Sequence, residues 1–87
     1  MFDNTTIQTV KNRTGALVRL LRDRENLTQE QLAEQLGLSR LTIQNLEAGK
    51  NPTIDTLLKA LQHFDLLPGF DRYIESEYNR NNSQSLY

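Results

Sequence analysis

The chain has 87 residues and a mass of 10.1 kDa, which is enough for one modest hydrophobic core and too little for a second domain. With 37% hydrophobic and 24% charged residues and no apolar run long enough to span a membrane, it has the composition of a soluble globular protein. The absence of cysteine and the single histidine exclude disulfides, thiol chemistry and multi-histidine zinc sites, and since the start of the chain does not resemble a secretory signal, we expect a cytoplasmic protein.

The net charge of −1 is divided unevenly along the chain. Residues 11–50 carry seven basic and five acidic side chains, a net charge of +2, whereas residues 65–87 carry two basic and four acidic ones, a net charge of −2. We therefore expect an anionic partner to meet the first half of the chain and a basic partner to meet the second.

Helical periodicity dominates the sequence, and only the first residues depart from it. Residues 6–9 alternate as a strand would, but this fragment is too short to distinguish a frayed helix start from an edge strand, so residues 1–9 are assigned to an N-terminal arm. A first helix follows from one broad apolar stripe that contains Val10, Thr14, Leu17, Val18, Leu20 and Leu21.

The second and third helices are defined by their ends. Thr28 and Gln31 have the spacing of a capping box, which starts a helix near Gln29, and Gly37 supplies the left-handed turn that ends it. Ser39 can cap the next helix after a link of about three residues, so the two helices must cross sharply. Their inward side chains are Leu32, Ala33, Leu36, Ile43 and Leu46.

Two further helices and a tail are predicted in the rest of the chain. Gly49 closes the third helix, and Pro52 followed by Thr53 opens a fourth, whose apolar residues are Ile54, Leu57, Leu58, Leu61 and Phe64. A fifth helix is predicted after the breakers Pro68 and Gly69, from the spacing of Phe70, Tyr73, Ile74 and Tyr78. Residues 79–87 lack periodicity and are predicted to be disordered. The fold is thus predicted to be an all-α domain over residues 10–78.

Two short helices joined by a glycine-containing turn form the geometry of a helix-turn-helix reader of duplex DNA. With Ile43 as the inward direction, the outward face of the third helix would enter the major groove, with arginine placed for guanine, amides for adenine and leucine for a thymine methyl. The start of the second helix and Lys50 are placed for phosphates. The predicted DNA-binding residues are Thr28, Gln29, Ser39, Arg40, Leu41, Thr42, Gln44, Asn45 and Lys50.

Residues 27–50, LTQEQLAEQLGLSRLTIQNLEAGK, resemble the Xre/Cro family of helix-turn-helix proteins. The family pattern is matched at fixed spacing by Gln29, Leu32, Ala33, Gly37, Ser39, Ile43, Glu47 and Gly49. The resemblance extends less specifically over residues 7–64 and implies a lambda-repressor-like domain of five helices. It also implies that Gln29 clamps the DNA backbone and the third helix, and that Arg22 and Glu47 form a structural ion pair between the first and third helices.

Specific binding by such a unit requires two copies, because one helix-turn-helix reads only a few base pairs. The candidate surface for a homodimer is the segment 65–78, which carries more apolar and aromatic area than a small core absorbs, unless these side chains simply cap the core. The predicted dimer residues are Leu66, Leu67, Phe70, Tyr73, Ile74 and Tyr78.

Residues 7–22 are similar to the start of HipB-like antitoxins, small bacterial repressors that bind operator DNA as dimers and hold a HipA-like kinase toxin in check. This resemblance implies a nucleoid-associated repressor with operator DNA and such a kinase as partners. Two alternatives stay open: a phage or restriction-system regulator, and a toxin-neutralising interaction module in which DNA binding is secondary.

No pattern in the sequence indicates an enzyme. His63 lies off the apolar stripe of the fourth helix and is expected to face solvent, and Glu30 and Glu34 are paired carboxylates without a cleft. The four glycines are scattered and form no phosphate-binding loop. We therefore predict a protein without catalytic activity, metal or cofactor.

Overall fold

Five α-helices make up the part of the chain that the computed structural model describes, residues 4–85, with side chains described up to residue 82. They are α1 (Ile7–Arg24), α2 (Gln29–Leu36), α3 (Arg40–Glu47), α4 (Ile54–His63) and α5 (Leu67–Ser85). No strand occurs over this range, and the all-α prediction is confirmed. None of these helices is long and apolar enough to cross a bilayer.

Hydroxyl side chains cap the first four helices. In each case the cap oxygen accepts a hydrogen bond of 3.0 or 3.1 Å from the backbone N–H three residues later, and the caps are Thr6, Thr28, Ser39 and Thr53. At α2 the capping box is complete, because the backbone N–H of Thr28 donates to Gln31 Oε1 at 2.8 Å. Gly37, with φ of 68°, ends α2 in the left-handed conformation. The predicted start and end of α2 are therefore confirmed.

The core lies where α1, α2, α3 and α4 meet. Its fully buried residues are Val18, Leu32, Ala33, Ile43, Leu46 and Ala60, and the partly buried side chains packed around them are Leu27, Leu36, Leu38 and Phe64. Burying one such leucine or isoleucine is worth about 1.5 to 3 kcal/mol. The short link between α2 and α3 and the small side chain of Ala33 bring the two helices together at this core.

The buried face of α1 differs from the predicted apolar stripe. Val18 is buried as expected, but the residues beside it in the core interface are Gly15 and Arg22, while Leu17 and Leu20 are exposed. A Cβ added at Gly15 would lie 2.5 Å from the backbone oxygens of both Leu46 and Glu47. The close approach of α1 to α3 at this glycine decides which side of α1 faces inward. The pattern of apolar residues along α1 does not predict where this approach occurs.

The predicted N-terminal arm over residues 1–9 was wrong in its boundary. Helix α1 begins at Ile7, because Thr6 caps it and satisfies the N–H of Thr9. Residues 4–6 precede the helix, and residues 1–3 of the predicted arm lie outside the described residues.

The fifth helix is longer at both ends than its apolar spacing predicts. It begins at Leu67 and includes Pro68 and Gly69, since proline is tolerated in a first helical turn, where its missing N–H has no intrahelical partner. The helix also continues through Ser85, where the sequence predicts disorder from residue 79. Asn81 Nδ2 donates to the carbonyl of Glu77 at 2.8 Å, and Arg80 pairs with Glu77, so local bonds extend the helix. Residues 86–87 lie outside the described range.

Candidate DNA-binding site

The outward face of α3 carries the predicted reading residues, of which two are exposed and three, including Asn45, are half-buried. Ile43 and Leu46 are buried and fix the inward side of the helix. Arg40 and Leu41 are exposed in the first turn, Leu41 to 62%. The half-buried side chains that flank them are Thr42, Gln44 and Asn45. This face combines cationic donors, amides and an apolar side chain, which are the groups that base edges in a major groove can meet.

An ion pair behind α3 ties the helix to α1. Arg22 Nε donates to Glu47 Oε2 at 2.6 Å and Arg22 Nη2 donates to Oε1 at 3.0 Å, so the contact is bidentate. Arg22 Nη1 also donates to the carbonyl oxygen of Leu27 at 2.8 Å. The side chains of Arg22 and Glu47 are only 10% and 4% exposed. The pair is thus largely removed from water and supported by a further hydrogen bond, as a buried charge requires.

Gln29 joins the same carboxylate from α2. Its Nε2 donates to Glu47 Oε1 at 3.0 Å, so α1, α2 and the last residue of α3 are connected through one side chain. The hydrogen bond to Glu47 raises the pKa of Arg22 above its ordinary value, with burial as a smaller opposing effect. Arg22 is therefore a permanent cationic donor at any physiological pH. Over the described residues, no buried side-chain nitrogen or oxygen lacks a hydrogen-bond partner.

Polar side chains at the start of α1 hold the turn that follows α3. Gln8 Nε2 donates to the carbonyl oxygen of Gly49 at 3.0 Å and to Asn12 Oδ1 at 2.9 Å, and Lys11 Nζ donates to Asn51 Oδ1. Sequence reasoning missed these residues, because Gln8 and Gly49 are 41 positions apart and no short motif connects them. The turn itself was predicted from Gly49, whose φ of 73° suits glycine.

The residues predicted to meet phosphates surround α3. Thr28 is exposed at the start of α2, and Ser39 is exposed at the start of α3, where its Oγ accepts from the backbone N–H of Thr42. Lys50 is exposed just past α3, and its backbone N–H donates to the carbonyl of Asn45 at 2.9 Å. Within the described part of the chain, neither Arg40 nor Lys50 forms an ion pair. Both cations are available to an anionic partner.

The predicted dimer residues divide into two groups. Leu66 and Leu67 are half-buried, which suits the alternative that part of this segment caps the core. The exposed group consists of Phe70, Tyr73, Ile74 and Tyr78. Phe70 and Ile74 line an apolar groove together with Leu58 of α4.

His63 lies closer to the protein interior than predicted. Its side chain is 20% exposed, its Nε2 lies 3.1 Å from Glu25 Oε1, and its ring packs edge-on against Phe64. The prediction of a solvent-facing histidine was wrong because Glu25, which follows α1, and the ring of Phe64 cover part of the imidazole. No cluster of histidine and carboxylate side chains able to hold a metal ion occurs among the described residues.

Comparison with known proteins gives a family and a curated relative. Residues 18–69 match a family described as helix-turn-helix, a stretch that contains α2, α3 and α4 with parts of α1 and α5. The chain is also similar to the HTH-type transcriptional activator BcrR of Enterococcus faecalis, with 41% identity over an alignment of 75 residues. The alignment covers 77% of this chain and 36% of that protein, so the chain spans about a third of the length of this curated relative.

Proposed function

Because the chain belongs to the Xre-type helix-turn-helix family, as the match over residues 18–69 shows, we propose that it regulates transcription by reading operator DNA with α3. One observation carries this proposal: α3 is held from behind by the pair Arg22 and Glu47 and leaves Arg40 and Leu41 exposed in front. A helix that is fixed on one side and free on the other can enter a major groove without disturbing the core.

The proposed contacts divide into base reading and phosphate positioning. Arg40 has the forked donors that suit guanine, Asn45 or Gln44 suits adenine, and Leu41 suits a thymine methyl. Thr42 adds a hydroxyl that suits either a base edge or the backbone. The proposed phosphate ligands are Thr28, Gln29, Ser39 and Lys50.

Gln29 can serve the DNA and the fold at once. A glutamine amide carries two N–H donors, and its Nε2 bond to Glu47 occupies one of them. The second donor is left for a phosphate oxygen. In this proposal a backbone contact made by α2 is coupled through Glu47 to the position of α3.

Operator binding is proposed to involve a homodimer. Two reading helices about 34 Å apart meet successive major grooves on one side of the duplex. The exposed side chains of α5 support this proposal, because soluble monomers rarely expose a contiguous apolar face of this kind without a partner.

Selection of bound duplexes from a random pool, followed by anisotropy titrations, tests the proposal. We expect a bipartite site, and we expect Arg40→Ala to weaken binding to it by about 1 to 3 kcal/mol with relaxed base preference. Arg72→Ala is the matched control, since it removes an equally charged, exposed arginine from α5 and should leave the affinity unchanged. Equal affinity of the parent protein for selected and scrambled duplexes would overturn the proposal.

Repression is the proposed regulatory outcome, because a dimer that occupies a promoter blocks RNA polymerase and needs no further surface to contact that enzyme. The relative from Enterococcus faecalis is named an activator, and a promoter reporter distinguishes the two outcomes by the direction of its response. The HipA-like kinase partner stays a prediction from the resemblance of residues 7–22, as do the phage and restriction-system alternatives. Copurification with the product of a neighbouring gene tests the kinase prediction.

A further inference from the structure

Two exposed apolar faces remain after the core and the candidate DNA-binding site are accounted for. The first lies on α1, is between 41% and 78% exposed, and consists of Ile7, Val10, Leu17 and Leu20; we call it the α1 stripe. The second lies on α5, is between 37% and 66% exposed, and consists of Phe70, Tyr73, Ile74 and Tyr78; we call it the α5 stripe. Exposed apolar faces of this kind mark interaction surfaces.

The α1 stripe faces away from the core. At 100° per residue, its centre is turned by roughly 120° from the face of α1 that packs on α3, which contains Gly15, Val18 and Arg22. The stripe therefore lies on the flank of the domain, where a partner can reach it without displacing α3.

Helix α5 extends from the domain as an arm. It packs mainly against α4, and its 19 residues span about 28 Å. The radius of gyration is 15.4 Å, whereas a compact chain of this length has about 12 Å. The α5 stripe is thus carried outward to a position where it can contact a second molecule.

The charges that border the two stripes are opposite in sign. Arg13 and Arg24 border the α1 stripe, and Asp71 and Glu75 border the α5 stripe. Glu77 and Arg80 also lie beside the α5 stripe, but they pair with each other, so the border of this stripe has a net charge of −2. Arg13, Arg24, Asp71 and Glu75 are exposed, and none of them forms an ion pair within the described residues. A contact between two α5 helices brings acidic borders together, whereas a contact between α5 and α1 brings acidic and basic borders together.

The available area also favours a contact that uses both stripes. With about 150 to 200 Å² for a whole apolar side chain, the α5 stripe offers roughly 400 Å² per protomer. A stable interface buries about 800 Å² on each partner. The apolar side chains of the two stripes together offer roughly 700 Å² per protomer. This area approaches about 800 Å² before the area of the bordering charged side chains is added.

We propose that the α5 stripe of one copy packs on the α1 stripe of a second copy, and the reverse, so that a two-fold dimer contains this contact twice. The occupant of each stripe is thus a second copy of this chain. The proposal rests on the homodimer of the proposed function and assigns α1 as half of the interface.

Sedimentation equilibrium of the full chain without DNA tests the contact. Ile7→Ala with Val10→Ala reduces the α1 stripe, and Tyr73→Ala with Ile74→Ala reduces the α5 stripe. Each double variant should raise the dimer Kd about tenfold or more, as expected when exposed apolar anchors are removed from an interface. Leu41→Ala, the matched control, removes an exposed apolar side chain from α3 and should leave the Kd unchanged. Far-UV circular dichroism should show the parent helix content in all three.

Charge reversal distinguishes the proposed contact from α5 pairing with itself. Arg13→Glu with Arg24→Glu, and separately Asp71→Lys with Glu75→Lys, should each raise the Kd about tenfold, and all four changes in one chain should restore it to within about threefold of the parent. A dimer that is unchanged by the α1 variants but weakened by the α5 variants overturns the proposal, and so does a monomeric parent chain. Neither result concerns base reading, which the Arg40→Ala titration tests separately.

Discussion

Arg22 and Glu47 lie 25 positions apart and meet in a bidentate ion pair that joins the end of α1 to the last residue of α3. The pair fixes the helix that is proposed to read DNA, and its energetic role can be measured. Glu47→Ala leaves the guanidinium of Arg22 buried without its carboxylate, so we expect a loss of about 3 to 5 kcal/mol in the free energy of unfolding. Urea denaturation followed by circular dichroism measures this loss.

Two further variants distinguish the loss of this buried ion pair from the loss of an exposed one. Lys59→Ala breaks the exposed pair with Asp55 and should cost no more than about 0.5 kcal/mol. The double variant Arg22→Met with Glu47→Leu should cost less than Glu47→Ala alone, because it replaces both charges with apolar groups. A loss below about 1 kcal/mol for Glu47→Ala would contradict the burial of the pair.

Gly15 permits the contact between α1 and α3. In Gly15→Ala the new Cβ would lie 2.5 Å from two backbone oxygens of α3, so the helices must separate, and we expect a loss of about 1 to 3 kcal/mol in stability. Gly69→Ala is the matched control, because nothing lies within 4 Å of its new Cβ, and it should stabilise the chain by about 0.4 to 1 kcal/mol. Thermal unfolding of both variants gives the comparison, and equal melting temperatures would rule out the close approach.

Ala33 lies in the core where α2 packs on α3, and only 2% of its surface is accessible. Ala33→Leu inserts a larger side chain there and should destabilise the fold by about 1 to 3 kcal/mol through overpacking. Ala16→Leu, which makes the same change at an exposed position of α1, should alter stability by less than about 0.5 kcal/mol. An unchanged melting temperature for Ala33→Leu would be incompatible with this helix crossing.

Lys50 is proposed to contact a phosphate and not a base. Lys50→Ala should therefore weaken binding to the selected and the scrambled duplex by similar factors. It should also reduce the slope of log K against log salt concentration by about 1. The slope is obtained from anisotropy titrations at several salt concentrations. Lys59→Ala removes a lysine from α4 and should leave the slope unchanged. A loss of affinity confined to the selected duplex would assign Lys50 to base reading instead.

The local features of the fold could be predicted because their determinants lie within a few residues of one another. The caps Thr28, Ser39 and Thr53 follow from hydroxyl side chains that accept a hydrogen bond from the backbone N–H three positions later. The turn at Gly37 follows from the absence of a side chain, which permits its positive φ. The same is true of the outward position of Leu41, which depends only on the period of α3 and on the burial of Ile43.

The residues that hold α3 in place were predicted less completely. The pair Arg22 and Glu47 and the role of Gln29 came from a family resemblance, whereas the contact of Gln8 with Gly49 was not predicted at all. Val10, Leu17 and Leu20 of the α1 stripe were expected in the core and are exposed. In each case the outcome depends on which surfaces of distant segments meet, and periodicity along one helix leaves that choice open.

The sequence by itself determined the all-α class, the caps and the α2 to α3 turn, since these depend on hydrogen bonds and periodicity within single segments. Only the tertiary structure decided that α1 turns Gly15 and Arg22 inward and leaves Leu17 at the surface. The physical reason is that two backbones can approach closely only where a side chain is missing, and that closest approach fixes the rotation of the helix for every other residue on it.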